Sequence, residues 1–223
     1  MLTRAQRKVA RIVLELVQEH GSVLAGGAAM NEAELIDRPT GDLDFFTNNL
    51  KAELIKIGEQ VTNALVDVGM DVTVLRSSPH FVKLLVNAGR RNTFELDFGF
   101  DAFQWQPVMG SIGPRLSDKE LAVNKVLAAF GRVAPRDVMD LEALDTRFGW
   151  GELFRGAKEK DPGFDLEILS EMLVLNITSD EWPTSEEAGS ARAFGERMVR
   201  EIIPREQQSE SASKTPKPRG YGR

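Results

Sequence analysis

The run Arg38-Pro39-Thr40-Gly41-Asp42-Leu43-Asp44-Phe45-Phe46 sets two aspartates one residue apart at the start of an apolar segment. Side chains along a strand alternate with period two, so Asp42 and Asp44 share a face and Leu43 turns the other way. Two carboxylates side by side repel unless a cation lies between them. Mg²⁺ carrying a triphosphate is the usual cation for such a pair. Upstream, Leu24-Ala25-Gly26-Gly27-Ala28-Ala29-Met30 reads as a short strand, a Gly-Gly turn and a short helix over 28–35. Glycines let backbone N–H groups approach phosphate oxygens, and a following helix N-terminus adds a favourable dipole. On its own D-x-D also suits an exposed strand end or a glycosyltransferase, but unpaired carboxylates are not carried cheaply on a buried strand.

Working outward, Val9, Ile12, Val13, Leu16 and Val17 recur at helical spacing, and Gly21 ends that helix. Leu54, Ile57, Val61, Leu65 and Val68 mark a second amphipathic helix closed by Gly69. Residues 71–76, 81–87 and 93–98 read as strands, the last two joined by a hairpin turn at Gly89-Arg90-Arg91-Asn92. From Ser117 almost everything reads as helix, with a Ser117/Glu120 capping box and Pro135 opening the next helix. Strands followed by helices predict an α/β (α+β) lobe with a mixed sheet over 1–112 and a helical lobe over 113–203. The polar residues 204–223 predict a disordered basic tail carrying Lys214, Lys217, Arg219 and Arg223. That tail is either a solvated terminus or a weak nucleic-acid-contacting arm.

Three later segments add candidate chemistry. Glu95-Leu96-Asp97-Phe98 repeats the acidic–apolar alternation, and a third carboxylate would complete a two-metal site. Period alone does not decide between Glu95 and Asp97. Lys125 stands in a mostly apolar helix, where its stem can pack while its ammonium meets a triphosphate or snorkels at the edge. Asp137 is spaced to orient Lys125 across a helix–helix turn, or to cap its own helix. Arg132 and Arg136 are candidates for phosphate or polynucleotide contacts.

Other classes fall away. With 223 residues and 42% apolar content, the chain has material for a real core. Zero cysteines exclude disulfides, zinc–thiolate sites and thiol nucleophiles, and fit a reducing compartment. The two histidines, His20 and His80, stand apart and make no triad or metal site. No Gly-x-Gly-x-x-Gly or P-loop is present. No apolar run approaches membrane-spanning length, and the N-terminus lacks a signal-peptide core, so a cytoplasmic protein without membrane contact is expected. The net charge of −6 gives no general attraction to nucleic acid, so RNA binding needs a locally basic surface.

Together, Gly26-Gly27, Arg38-Pro39-Thr40-Gly41-Asp42-Leu43-Asp44, Asp97, Lys125 and Arg136-Asp137-Val138-Met139-Asp140 resemble the DNA polymerase β-type nucleotidyltransferase superfamily. More narrowly they resemble its AbiEii/AbiGii group, which includes the MenT-type toxins. The resemblance covers roughly residues 20–145. It implies a polymerase β-like lobe, with catalytic roles for Asp42, Asp44, Lys125 and Asp137. Gly26, Gly27, Thr40, Arg132 and Arg136 would bind NTP or RNA, and Asp42, Asp44 and Asp97 would bind Mg²⁺ or Mn²⁺. It implies transfer of a nucleoside monophosphate from an NTP to RNA, the 3′ end of tRNA in MenT-like enzymes, restrained by a cognate antitoxin. The same motifs also suit a nucleotidyltransferase acting on a small-molecule or protein hydroxyl, or a non-catalytic nucleotide-binding regulator. The spacer from Gly27 to Asp42 is longer than the general superfamily pattern, and Gly-Gly replaces the usual Gly-Ser.

Overall fold

The structure, a computed structural model, describes residues 1–89 and 92–214, with side chains through Ser209. In chain order the first part holds α1 (Arg4–Val17), β1 (Val23–Ala25), α2 (Gly26–Glu32), β2 (Asp42–Thr47) and α3 (Leu54–Asp67). It continues with β3 (Asp71–Ser78), β4 (Phe81–Asn87), β5 (Thr93–Phe100), β6 (Val108–Met109) and β7 (Pro114–Arg115). Next come α4 (Asp118–Gly131), α5 (Pro135–Leu144), α6 (Trp150–Lys160), α7 (Leu166–Thr178), α8 (Glu186–Arg197) and α9 (Ile203–Lys214). The chain divides into two compact units, Met1–Ala122 and Val123 onward. The division falls within α4, ten residues past the 112/113 boundary expected from the sequence.

In the first unit, seven strands form one mixed sheet in the order β3-β4-β5-β2-β1-β7-β6. β2 pairs parallel with β5 and antiparallel with β1, while β4 pairs antiparallel with both β3 and β5. The alternation in β2 works as period two requires: Leu43 and Phe45 are buried, whereas Asp42, Asp44 and Phe46 turn to the more open face. Phe45 stacks on Phe98 of β5, ring centroids 5.3 Å apart. Val82 of β4 lies on that same buried face, close against Gly58 of α3, where an added Cβ would strike the valine. The stripe Leu54, Ile57, Val61 and Leu65 seals this side. α1 buries Gln6, Val9, Ala10, Val13, Leu14 and Val17, and Thr3 with Gln6 forms a capping box at its start. The opposite face of the sheet is left for the carboxylates.

The second unit is helical. Trp150, Phe154, Phe164, Phe130 and Phe194 form a chain of aromatic contacts with centroid separations of 5.2–6.2 Å. Val138, Leu141, Leu144, Leu153, Leu169 and Leu173 fill the rest of the core.

Two local outcomes differ from expectation. Gly26 and Gly27 are the first residues of α2 rather than a turn ahead of a helix at 28. The chain past 203, expected as a disordered tail, is helical through Lys214. Ile202 and Ile203 are buried, Pro204 falls in the first turn where proline is tolerated, and good helix formers follow. Lys217, Arg219 and Arg223 lie outside the described residues, as do Arg90 and Arg91 of the hairpin turn.

Candidate active site

The first unit presents one acidic face. In the parallel pairing of β2 and β5, Asp42 faces Glu95 and Asp44 faces Asp97. In the antiparallel pairing of β5 and β4, Asp97 faces Lys83. Residues paired across a ladder point to the same side. One row across the sheet is therefore Lys83, Asp97, Asp44 and Ala25, and the next is Leu85, Glu95 and Asp42.

The entry to β2 is pinned from several sides. Thr40 Oγ1 donates a close hydrogen bond to Asp42 Oδ1, fixing that carboxylate two residues downstream. Buried Gln6 donates Nε2–H to Thr40 O at 2.8 Å. Buried Asn31 donates to Gly27 O at 3.0 Å and to Arg38 O at 2.9 Å, tying α2 to the segment before β2. A Cβ at Gly27 would come 3.0 Å from Thr40 Oγ1. Gly26 has φ +57, and a Cβ there would overlap the Asp44 carboxylate. The site thus needs glycine at 26 for both conformation and space.

Lys83 Nζ lies 2.6 Å from Glu95 Oε2 and 3.2 Å from Asp97 Oδ2. The hydrogen bond to Glu95 and the neighbouring Asp97 carboxylate raise the Lys83 ammonium above its ordinary value against the opposing effect of burial. Burial pushes the Asp97 carboxyl up, with Lys83 pulling it back. Asp97 Oδ1 is buried without a hydrogen-bond partner.

In the second unit a charge cluster is built on α4 and α5. Lys125 Nζ lies 3.0 Å from Asp137 Oδ1 and 2.8 Å from Asp140 Oδ2. Arg132 Nε donates to Asp137 Oδ2 at 2.7 Å and its Nη2 to Oδ1 at 3.1 Å, a bidentate pair. Asp137 and Asp140 are fully buried and the Lys125 side chain is 9% exposed, whereas half of the Arg132 side chain is open. Burial pushes the Asp137 carboxyl up, but Arg132 and Lys125 outweigh it and hold the group below the ordinary carboxylate range. The turn carrying Arg132 is fastened by buried Asn176 of α7, whose Oδ1 accepts from Ala134 N at 2.6 Å and whose Nδ2 donates to Arg132 O at 3.3 Å. Arg136 is exposed on the first turn of α5.

The anticipated residues therefore fall into two groups. Gly26, Gly27, Thr40, Asp42, Asp44 and Asp97 belong to the first, and Lys125, Arg132, Arg136 and Asp137 to the second. Asp42 and Asp44 suit one hard cation: they share a face, with Thr40 orienting one and Gly26 making room for the other. Among the described residues no three His, Cys, Asp or Glu side chains converge as a metal site, and Asp97 is turned to Lys83. The sequence does not single out Lys83, Gln6, Asn31 or Asn176, and Asp140 stands in the quoted motif with no role of its own. Gln6 alone left a signal, as a polar residue in register with Val9, Ala10 and Val13 on the apolar stripe of α1.

Comparison with known proteins completes the picture. Residues 11–206 match the family described as Nucleotidyl transferase AbiEii toxin, Type IV TA system. JHP933 from Helicobacter pylori shares the fold at TM-score 0.57 and 18% identity, covering 96% of this chain and 100% of that one. MenT4, a nucleotidyltransferase toxin from Mycobacterium tuberculosis H37Rv, shares it at TM-score 0.61 and 15% identity, covering 91% and 85%. Identities this low establish the fold alone. No curated protein matches the chain. No described helix is long and apolar enough to cross a membrane.

Proposed function

The chain belongs to the AbiEii family of nucleotidyltransferase toxins, and from that premise we propose that it moves a nucleoside monophosphate from an NTP onto the 3′ end of tRNA, using Mg²⁺ or Mn²⁺. It is a nucleotidyltransferase, the toxin of a type IV toxin–antitoxin system, with an NTP as substrate and an antitoxin as partner. The observation that supports metal-dependent nucleotidyl transfer is the Asp42/Asp44 face, with Thr40 bonded to Asp42 and glycine required at 26; the tRNA acceptor rests on the resemblance to MenT-type toxins.

The acceptor hydroxyl oxygen attacks the α-phosphorus and gives up its proton to solvent, the bond from that phosphorus to the β-phosphate oxygen breaks, and pyrophosphate leaves. A bound Mg²⁺ would neutralise phosphate oxygens and stabilise the charge that develops on the leaving group. Asp42 and Asp44 are the residues that would hold it. Thr40 fixes Asp42 in its rotamer, and Gly27 offers backbone unobstructed by a side chain. Asp137 and Asp140 hold Lys125, and Asp137 also holds Arg132. Arg132 is the more accessible of the two cations and is assigned to phosphate, with Lys125 behind it. Exposed Arg136 is assigned to the RNA backbone. The work takes place in the cytoplasm, where NTPs and tRNA are found.

Incubating the protein with each of the four NTPs, Mg²⁺ or Mn²⁺, and total RNA tests this reading. Label is expected in the tRNA fraction at the 3′ terminus. Label in protein or a small molecule would move the acceptor to another class, and no transfer with any nucleotide or metal would overturn the reading.

A further inference from the structure

Resting on the assignment of Asp42 and Asp44 to a divalent cation, we propose that the Lys83 ammonium permanently fills the place a second divalent ion would take. The site then holds one divalent ion, and Asp97 serves as the counter-charge of Lys83 rather than as a metal ligand.

The strand register carries the argument. Lys83, Asp97 and Asp44 are consecutive in one row across β4, β5 and β2, with Glu95 and Asp42 in the adjoining row. Four carboxylates thus lie on two neighbouring strands facing one side, an arrangement that needs positive charge to persist. Lys83 supplies it for the β5 pair: its Nζ bonds Glu95 Oε2 at 2.6 Å and reaches Asp97 Oδ2 at 3.2 Å, bridging both rows. In a two-metal site the ions lie about 3.5–4 Å apart, so the third carboxylate must turn towards the first two. Here Asp97 Oδ2 is committed to Lys83. No three acidic or histidine side chains converge among the described residues. An ammonium on a four-carbon stem reaches both carboxylates from the neighbouring strand β4 and sets one fixed positive charge between them.

Mn²⁺ titration of the full chain, followed by the free-ion paramagnetic signal, tests the proposal, with thermal melting to establish that each variant is folded. Wild type is expected to bind one equivalent. Lys83→Met frees Asp97 and Glu95 and should bind two, while Lys83→Arg should remain at one. Asp97→Asn should keep the affinity within about two-fold, whereas Asp42→Asn should weaken it by about ten-fold or more, because only the latter removes a ligand charge. Two equivalents in wild type, or one in folded Lys83→Met, would overturn the proposal. So would a loss in Asp97→Asn matching that in Asp42→Asn, and this arm decides the matter if Lys83→Met does not fold. No binding by wild type would instead remove the assignment of Asp42 and Asp44 on which the proposal stands.

Discussion

Lys125 and Asp137 meet 3.0 Å apart at the junction of α4 and α5, and Asp140 closes on the same ammonium from the other side at 2.8 Å. Both aspartates are fully buried, and the lysine ammonium is shared between their two carboxylates. Removing Lys125 takes away the charge that both buried carboxylates share, although Asp137 keeps its pair with Arg132. Lys125→Met is therefore expected to destabilise the protein by about 3–5 kcal/mol, lowering Tm by roughly 10 °C. Differential scanning calorimetry checks this, and an unchanged Tm would mean that Lys125 has no structural share in the cluster.

Acid should reach this cluster before neutral pH does. The Asp137 carboxyl lies below its ordinary value in the folded chain, because Arg132 and Lys125 outweigh the effect of burial. A depressed folded value contributes stability that is complete above the unfolded value, about 3.9, and is lost as pH falls through the folded one. Between pH 5 and 8 Asp137 adds no slope; below about pH 4 its contribution declines. Urea midpoints measured from pH 3 to 7 should converge for wild type and Asp137→Asn at the acid end. A constant gap across that range would contradict the assignment.

Glycine 26 offers a sharper steric test. Its φ of +57 and the overlap of any Cβ with the Asp44 carboxylate act together. Gly26→Ala should lose about 1–2 kcal/mol from backbone strain alone and displace Asp44 as well. Gly41→Ala adds a methyl group to open space and serves as the control. Activity assays and melts of the pair should separate them clearly; equal behaviour would show that the close approach of α2 to β2 is unimportant.

Asn176 tests how the Arg132 turn is held. Asn176→Ala removes the acceptor of the Ala134 N–H and the donor to Arg132 O, at a cost of about 1–3 kcal/mol. If the turn positions Arg132 for phosphate, KM for NTP should rise more than kcat falls. A stability loss with unchanged KM would confine Asn176 to packing.

How much of this could be read in advance follows from the range of each interaction. Asp42-Leu43-Asp44 was legible because period two is a local rule, and β2 obeys it residue by residue. The Lys125–Asp137 pairing was legible because a twelve-residue separation spans one helix–helix turn. Lys83 was not, because an isolated lysine in Phe81-Val82-Lys83-Leu84 looks like an ordinary open-face residue. Its partners emerge only once the register of two ladders is known. Gln6 and Asn176 act over 34 and 42 residues, and no periodicity reports a bond of that kind. The helix over residues 203–214 was not legible for a different reason: polarity argues for disorder, but the segment holds good helix formers continuing from buried Ile202 and Ile203.

In the proposed reaction Asp42 and Asp44 support transfer of a nucleotidyl group to RNA. The most direct measurement compares α-labelled and γ-labelled NTP, incubated with tRNA and Mg²⁺, using wild type and Asp42→Ala. Wild type should place the α-label on tRNA and release the γ-label in pyrophosphate, and Asp42→Ala should do neither. Transfer of the γ-label, or undiminished α-transfer by Asp42→Ala, would contradict it.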